Sequence, residues 1–228
     1  MIIAIDGPSG AGKSTLGKML AKELNLLYLD TGAMYRAVAL AVLDKGVEIE
    51  NREQVIIIAA AAEIELSGEP DSLHIFLNGN DVSGRIRTNQ VGQAASIVST
   101  ISEVRKILVS RQQELGKRGN GCVLDGRDIG TVVFPNADVK FFLTASAEAR
   151  ARRRFAEDRQ RGIATTYETT LAEINLRDER DRTRADSPLA VADDAIVVDT
   201  SNLDTAEAFA EMLNIIKEKS LSATPGLT

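Results

Sequence analysis

The chain has 228 residues, 44% apolar and 26% charged, the balance of an ordinary globular protein, which excludes disordered, collagen-like and disulfide-scaffold classes. Its 27 Lys+Arg against 33 Asp+Glu leave a formal net charge of −6, which argues against general binding of duplex nucleic acid, since that requires a basic face. No apolar run reaches the roughly 20 residues of a membrane span, no basic leader precedes Asp6, and a lone Cys122 cannot close an internal disulfide; the expectation is a cytoplasmic protein with no membrane or nucleic-acid partner.

Ile2–Asp6 is a short apolar, β-branched run closed by Gly-Pro, the pattern of a buried strand. Apolar residues at 16, 19, 20 and 24 lay a helical stripe along 13–24. A strand is read at 26–30, then helices over 33–45 and 52–62. The rhythm changes after that. Residues 63–67 and 73–77 read as strands, Asn78-Gly79 signals a hairpin turn, and Asp81-Val82 begins a return strand. A small antiparallel insertion is therefore expected. Helices are predicted over 89–99, 102–117, 146–160, 167–184 and 204–219, with strands at 121–125, 139–143 and 195–199, and a frayed tail at 221–228. Five strands alternating with helices predict an α/β chain with a parallel sheet covered on both faces, in a single domain over 1–228.

The first strand runs into Gly7-Pro8-Ser9-Gly10-Ala11-Gly12-Lys13-Ser14-Thr15, which fits G-x-x-x-x-G-K-[ST] with a strand before and a helix after. The glycines let backbone N–H groups converge on one point, where a helix N-terminus adds partial positive charge. Lys13 is expected to reach the β/γ-phosphates of a bound nucleotide, and the Ser14 hydroxyl to ligate Mg²⁺. The motif alone leaves kinase, GTPase, ATPase and motor open. No lysine is followed two positions later by Asp, so the Asn-Lys-x-Asp guanine-reading pattern is absent. A small kinase needs an acceptor, hence a second set of phosphate-binding residues.

Ligands of open α/β sheets bind beyond the C-terminal strand ends, and four of the five predicted strands end in Asp: Asp6, Asp30, Asp125 and Asp199. After Asp30 and Thr31, Gly32 permits a tight turn and Arg36 lies about one helical turn further on. After Asp125, two glycines bracket Arg127-Asp128. A carboxylate there matches an exocyclic amine such as the cytosine 4-amino group and opposes the O4 of uracil; this alone does not separate cytosine from adenine. Residues 150–184 hold ten Arg against seven acids, with 177, 181 and 184 on one helical face. They read as a solvated, ion-paired helix or as part of a lid closing on the transferred phosphoryl group. His74, without a companion ligand, reads as a strand residue, and Cys122 as core.

Five segments, 5–15, 30–36, 81–88, 125–135 and 177–184, resemble those of the bacterial cytidylate kinases. The resemblance implies a P-loop NTPase fold of the nucleoside monophosphate kinases. Its core would span 1–35, 111–147 and 166–220, with a monophosphate-binding region at 36–110, an insertion at about 63–85 and a lid at about 148–165. It implies that Arg36, Arg127 and Arg184 hold the phosphate of CMP or dCMP. Ser96, Arg105 and Asp128 would read the cytosine, Thr31, standing where many relatives carry Ser, would keep a hydroxyl on the substrate side, and Asp181 and Tyr35 would meet the ribose. Arg177 would meet the phosphates of ATP. Lys13, Arg127, Arg184 and a lid arginine, taken as Arg153 although Arg150 and Arg154 are not ranked against it, would act on the transferring group. A monomer is expected. A kinase for another acceptor (UMP, dTMP or shikimate) and a nucleotide-dependent switch are the competing readings.

Overall fold

Strand β1 (Ile2–Asp6) lies at the centre of the molecule because both its faces are apolar; Ile3, Ala4 and Ile5 are fully buried. The computed structural model describes residues 1–222, with side chains to 219, and the tail read at 221–228 lies outside these residues from 223 onward. A parallel five-stranded sheet is built around β1. It contains β2 (Leu27–Asp30), β6 (Cys122–Asp125), β7 (Val139–Thr144) and β8 (Ile196–Asp199) in the order β2-β6-β1-β7-β8. The register sets Ile5 beside Asp125 on one side and Phe141 on the other, and Asp30 beside Asp125. Three strand ends that carry chemistry are thus side by side.

Helices α1 (Lys13–Glu23) and α8 (Thr205–Ser222) cover one face, burying Leu16, Leu20, Met212 and Ile216 against Ile3, Val123 and Phe141. Each such apolar side chain contributes about 1.5–3 kcal/mol when buried. The opposite face, with Ala4 and Leu124, is covered by Ile129, Val133 and Phe134 and by Val109 and Leu115 of α5 (Ser102–Gly116). A second apolar cluster joins α2 (Thr31–Asp44), α3 (Arg52–Ala61), α4 (Asn89–Val98) and α5. Helix α2 begins two residues earlier than the sequence suggests, because the Asp30 carboxylate caps it by accepting from Ala33 N at 2.9 Å.

The antiparallel insertion is present as β3 (Ile64–Ser67), β4 (His74–Leu77) and β5 (Asn80–Asp81) in that order. The return strand is shorter and earlier than Asp81-Val82, since Val82 turns inward and is buried. Ile75 and Leu77 pack on the α2–α4 cluster, and Lys22 of α1 pairs with Asp71 at the insertion's rim. His74 is a strand residue whose Nδ1 lies 2.8 Å from Asp81 Oδ2. Cys122 is buried and donates to the Gly116 carbonyl at 3.2 Å. Helices α6 (Ala147–Gln160) and α7 (Tyr167–Thr183) pack together beside the C-terminal strand ends. No described helix is long and apolar enough to cross a membrane.

Candidate active site

The loop after β1 is shaped by close backbone approach. A Cβ on Gly7 (φ +143°) would lie 2.0 Å from the Leu143 carbonyl oxygen, so only glycine fits. The loop wraps the N-terminus of α1, and Lys13 folds over it, donating to the Pro8 carbonyl at 2.7 Å. Burial and the neighbouring Arg127 hold the Lys13 ammonium well below the usual lysine range. Ser9 to Thr15 line a cleft of about 1030 Å³, at the upper end of the roughly 300–1,000 Å³ of small-molecule sites. Gly7 and Pro8 stand behind its wall.

Asp125, at the end of β6, accepts from Ser14 Oγ at 2.6 Å and from the buried Tyr28 hydroxyl at 3.1 Å. Burial, reinforced by Asp30, pushes its carboxyl up to about 6. Ser14 and Asp125 form an oxygen-only pair at the phosphate loop, the donor type that suits Mg²⁺ completed by substrate phosphates. Among the described residues no cluster of three or more His, Cys, Asp or Glu side chains is set to hold a metal alone.

The turn after β6 carries the next two groups. Arg127 Nε donates to Asp181 Oδ2 at 2.7 Å. Burial works against charge on both, yet each offsets it for the other: Arg127 is raised, and Asp181, between Arg127 and Arg177, is lowered. Asp128 is buried between Arg105, which donates to its Oδ2, and Arg184 Nη2 at 3.6 Å from Oδ1. Residues Ile129–Val133 then form a π-helical turn that the sequence did not announce. Its N–H groups are held by Asp6, which accepts from Ile129 at 2.8 Å and Gly130 at 2.7 Å. Burial pushes the Asp6 carboxyl up to about 6. Of the four strand-end carboxylates, Asp30 and Asp125 line the cleft, Asp6 braces this turn, and Asp199 is exposed and binds Ser201.

From α2, Thr31 Oγ1 donates to the Asp125 carbonyl at 2.6 Å, and Arg36 Nη1 to the Ile86 carbonyl at 3.1 Å. Burial lowers Arg36 to about 10. Tyr35, pushed up to about 12 by burial, has the Arg105 guanidinium 5.7 Å from its ring centre. Ser96 of α4 is buried, and its hydroxyl accepts from Arg180 Nη1 at 2.9 Å. Arg177 Nη1 reaches Ser9 Oγ at 3.3 Å, and burial followed by Arg127 lowers it to about 9. Arg184 is lowered by burial and then by Arg105. All nine acceptor-side residues predicted from sequence, from Thr31 to Arg184, line the one cleft, as do Arg153 and Arg177.

The arginines of α6 separate. Arg150 is buried in a two-pronged pair with Asp178 at 2.6 and 3.1 Å, and also donates to the Ala145 and Ser9 carbonyls. It pins helices to the loop rather than facing the cleft. Arg153 and Arg154 line the cleft, the first donating to Thr200, the second to Asn89 Oδ1 at 2.7 Å. Sequence reasoning gave no role to Tyr28, Arg87, Arg180 or Thr200; all but Tyr28 line the cleft. The sites of Tyr28 and Arg180 follow from strand order and helix packing, which leave no local signal.

Eleven cationic side chains line the cleft against seven carboxylates, in a chain that is acidic as a whole. Arg105 Nε, Arg177 Nε and Arg184 Nη2 are buried without a hydrogen-bond acceptor. Buried donors left unpaired are costly, and all three arginines belong to the lining of the cleft, an environment suited to an anion rich in acceptors.

The family model described as Cytidylate kinase matches residues 3–218. The chain is 46% identical to the cytidylate kinase of Pasteurella multocida, covering 96% of each chain. It is 48% identical to that of Caldanaerobacter subterraneus over 95% of this chain and 94% of the relative. A solved structure of an uncharacterized protein from Eubacterium ventriosum matches at TM-score 0.50 with 13% identity, over 95% of this chain and 98% of that one, a likeness of fold alone. With that extent of identity across sheet, loop and cleft, the chain belongs to the cytidylate kinase family, and is a nucleoside monophosphate kinase.

Proposed function

We propose that the cleft transfers the γ-phosphoryl group of ATP to CMP or dCMP, giving CDP or dCDP. The observation that carries this is the buried Arg105–Asp128–Arg184 cluster, which lines the same cleft as Ser96 and the phosphate loop. Asp128 accepts from the cytosine amine while Arg105 and Ser96 serve the acceptor atoms of the ring. Uracil would set its O4 against the carboxylate, leaving buried groups unpaired at about 1–3 kcal/mol. Arg36, Arg127 and Arg184 hold the CMP phosphate, Thr31 lies beside it, and Asp181 and Tyr35 meet the ribose.

Residues Gly7 to Thr15 cradle the ATP phosphates, with Arg177 closing over them. Mg²⁺, held through Ser14 with Asp125 behind it, would supply charge neutralisation at the β/γ-phosphates. Lys13, Arg127 and Arg153 draw charge from the transferring group, with Arg184 on the acceptor side. The acceptor phosphate is already an anion, so no side chain is required as general base; positioning and preorganised charge supply the catalysis.

In this reading 36–110, with the insertion, forms the monophosphate-binding region of a single domain, and 148–165 the lid. Residues 153 and 154 on α6, at the cleft wall, support a closing role. We also take the enzyme to be a cytoplasmic monomer, in the compartment where ATP and CMP are made and used.

The test is ADP release from Mg·ATP with CMP, dCMP, UMP, AMP, dTMP, shikimate or no acceptor. Strong turnover with CMP and dCMP, and far less with UMP, is expected. Turnover independent of acceptor would overturn the kinase assignment, and turnover with a different acceptor only would overturn the substrate.

A further inference from the structure

Helix α4 presents Asn89, Gln93 and Ser96, spaced i, i+4 and i+7, to the pair α6–α7. Each meets a side chain there. Arg154 donates to Asn89 Oδ1 at 2.7 Å, Gln93 Nε2 to Glu173 Oε1 at 3.2 Å, and Arg180 Nη1 to Ser96 Oγ at 2.9 Å. The first two contacts lie at the exposed or part-buried rim. The third ends on a serine that is only 4% exposed and lines the same cleft as Arg105 and Asp128.

A serine hydroxyl has one proton to donate and two lone pairs. Arginine has donors only. The Arg180 contact therefore fills one lone pair of Ser96, fixes the side-chain rotamer, and leaves the proton to point elsewhere. That proton is donated to no group among the described residues, while Ser99 Oγ binds the Ser96 carbonyl and leaves the hydroxyl alone. A charged donor is also the stronger partner, so the hydroxyl is held more firmly than by water.

We infer that Arg180 is a positioning residue for acceptor-base selection: by occupying Ser96 Oγ it makes that hydroxyl a hydrogen-bond donor toward the pyrimidine ring. Both bases accept at O2, but N3 is an acceptor in cytosine and carries a hydrogen in uracil, so a committed donor directed at N3 favours cytosine. The same contact links α7, which carries Arg177 and Asp181, to the helix that reads the base. The correct base thus helps to dock α7, and α7 helps to set the base-reading hydroxyl. This inference rests on the reading of Ser96 as a base contact.

The experiment is a cycle of R180A, S96A and R180A/S96A, each assayed for KM and kcat with CMP and UMP at saturating Mg·ATP, with CMP binding measured by calorimetry. Loss of a bond to a charged partner predicts about a tenfold rise in KM and Kd for CMP in R180A. The CMP-to-UMP preference narrows, and the KM for ATP, taken in a separate titration at saturating CMP, stays within about twofold, less than any lost hydrogen bond would move it. In the S96A background, removing Arg180 should change the CMP constants by less than about twofold, because the partner is gone. An equal loss in both backgrounds, or a fall in kcat with unchanged CMP affinity, would overturn the inference and make Arg180 a general packing residue. If S96A alone keeps the wild-type CMP preference, the reading of Ser96 fails, and this inference with it. The acceptor panel tests the reaction separately. R180K retains the charge without the planar fork and should recover part of the CMP affinity.

Discussion

Replacing Arg150 with Met tests whether α6 contributes a structural arginine that pins α7 to the phosphate loop. Arg150 and Asp178 are 3% and 6% exposed at their side chains and share two hydrogen bonds. The methionine fills most of the volume but leaves Asp178 as a buried, unpaired carboxylate, and frees the Ala145 and Ser9 carbonyls. Breaking a buried pair from one side costs about 3–5 kcal/mol. For 228 residues, an unfolding entropy of about 2.1 cal/mol/K per residue gives roughly 480 cal/mol/K. The expected fall in Tm is therefore about 6–10 °C, read by calorimetry. Arg150→Met combined with Asp178→Leu leaves no buried charge, and should recover most of that loss. A drop below about 2 °C for the single variant, or a double variant no more stable than the single, would refute the reasoning.

Asp128→Ala removes the carboxylate between Arg105 and Arg184; the ratio of kcat/KM for CMP over UMP should fall at least about fivefold, and an unchanged ratio would remove Asp128 from base reading. Asp6, pushed up to about 6 by burial, binds its proton more tightly in the folded than in the unfolded chain, where its value is near 3.8. Its contribution to stability is thus full below about pH 4 and lost as pH rises through about 6. Relative to Asp6→Asn, the Tm of the wild type should fall between pH 4 and 7, and a flat difference would show that the carboxyl titrates normally. Tyr28→Phe deletes one of the two hydroxyls donating to Asp125; the Mg²⁺ concentration giving half-maximal activity should rise about tenfold, and an unchanged Mg²⁺ curve would show that Ser14 alone orients the carboxylate.

The residues legible in the sequence are those whose chemistry is local. The phosphate loop announces itself because backbone geometry, helix start and Lys13-Ser14 all lie within nine positions. Arg127 and Asp128 stand out because opposite charges between glycines at a strand end serve no turn. Asp6 was visible as a strand end, but its role in bracing the turn after Asp128 depends on β1 and β6 being neighbours, with more than a hundred residues between them. The π-helical turn itself has no periodic signature. Arg150, Arg153 and Arg154 have the same composition and differ only in which way α6 rotates against α7, so sequence could not sort the buried arginine from those on the cleft. Helix α2 starts earlier than periodicity suggests because the cap is set by Asp30, not by the apolar stripe.

The strand order has a consequence for how acceptor choice can change. In the proposed reading the donor loop leaves β1 and the base-reading loop leaves β6, and these strands are joined by a parallel ladder from Ile2–Cys122 to Ile5–Asp125. Neighbouring strands stand about 4.8 Å apart, and that interval is set by main-chain hydrogen bonds, which side-chain substitutions leave untouched. The offset between the two reactants is therefore a property of the backbone lattice, whereas acceptor identity resides in the side chains that line its end. If Ser96, Arg105 and Asp128 read the base as proposed, a sequence of this kind can drift toward another nucleobase through them while the line of attack is inherited unchanged.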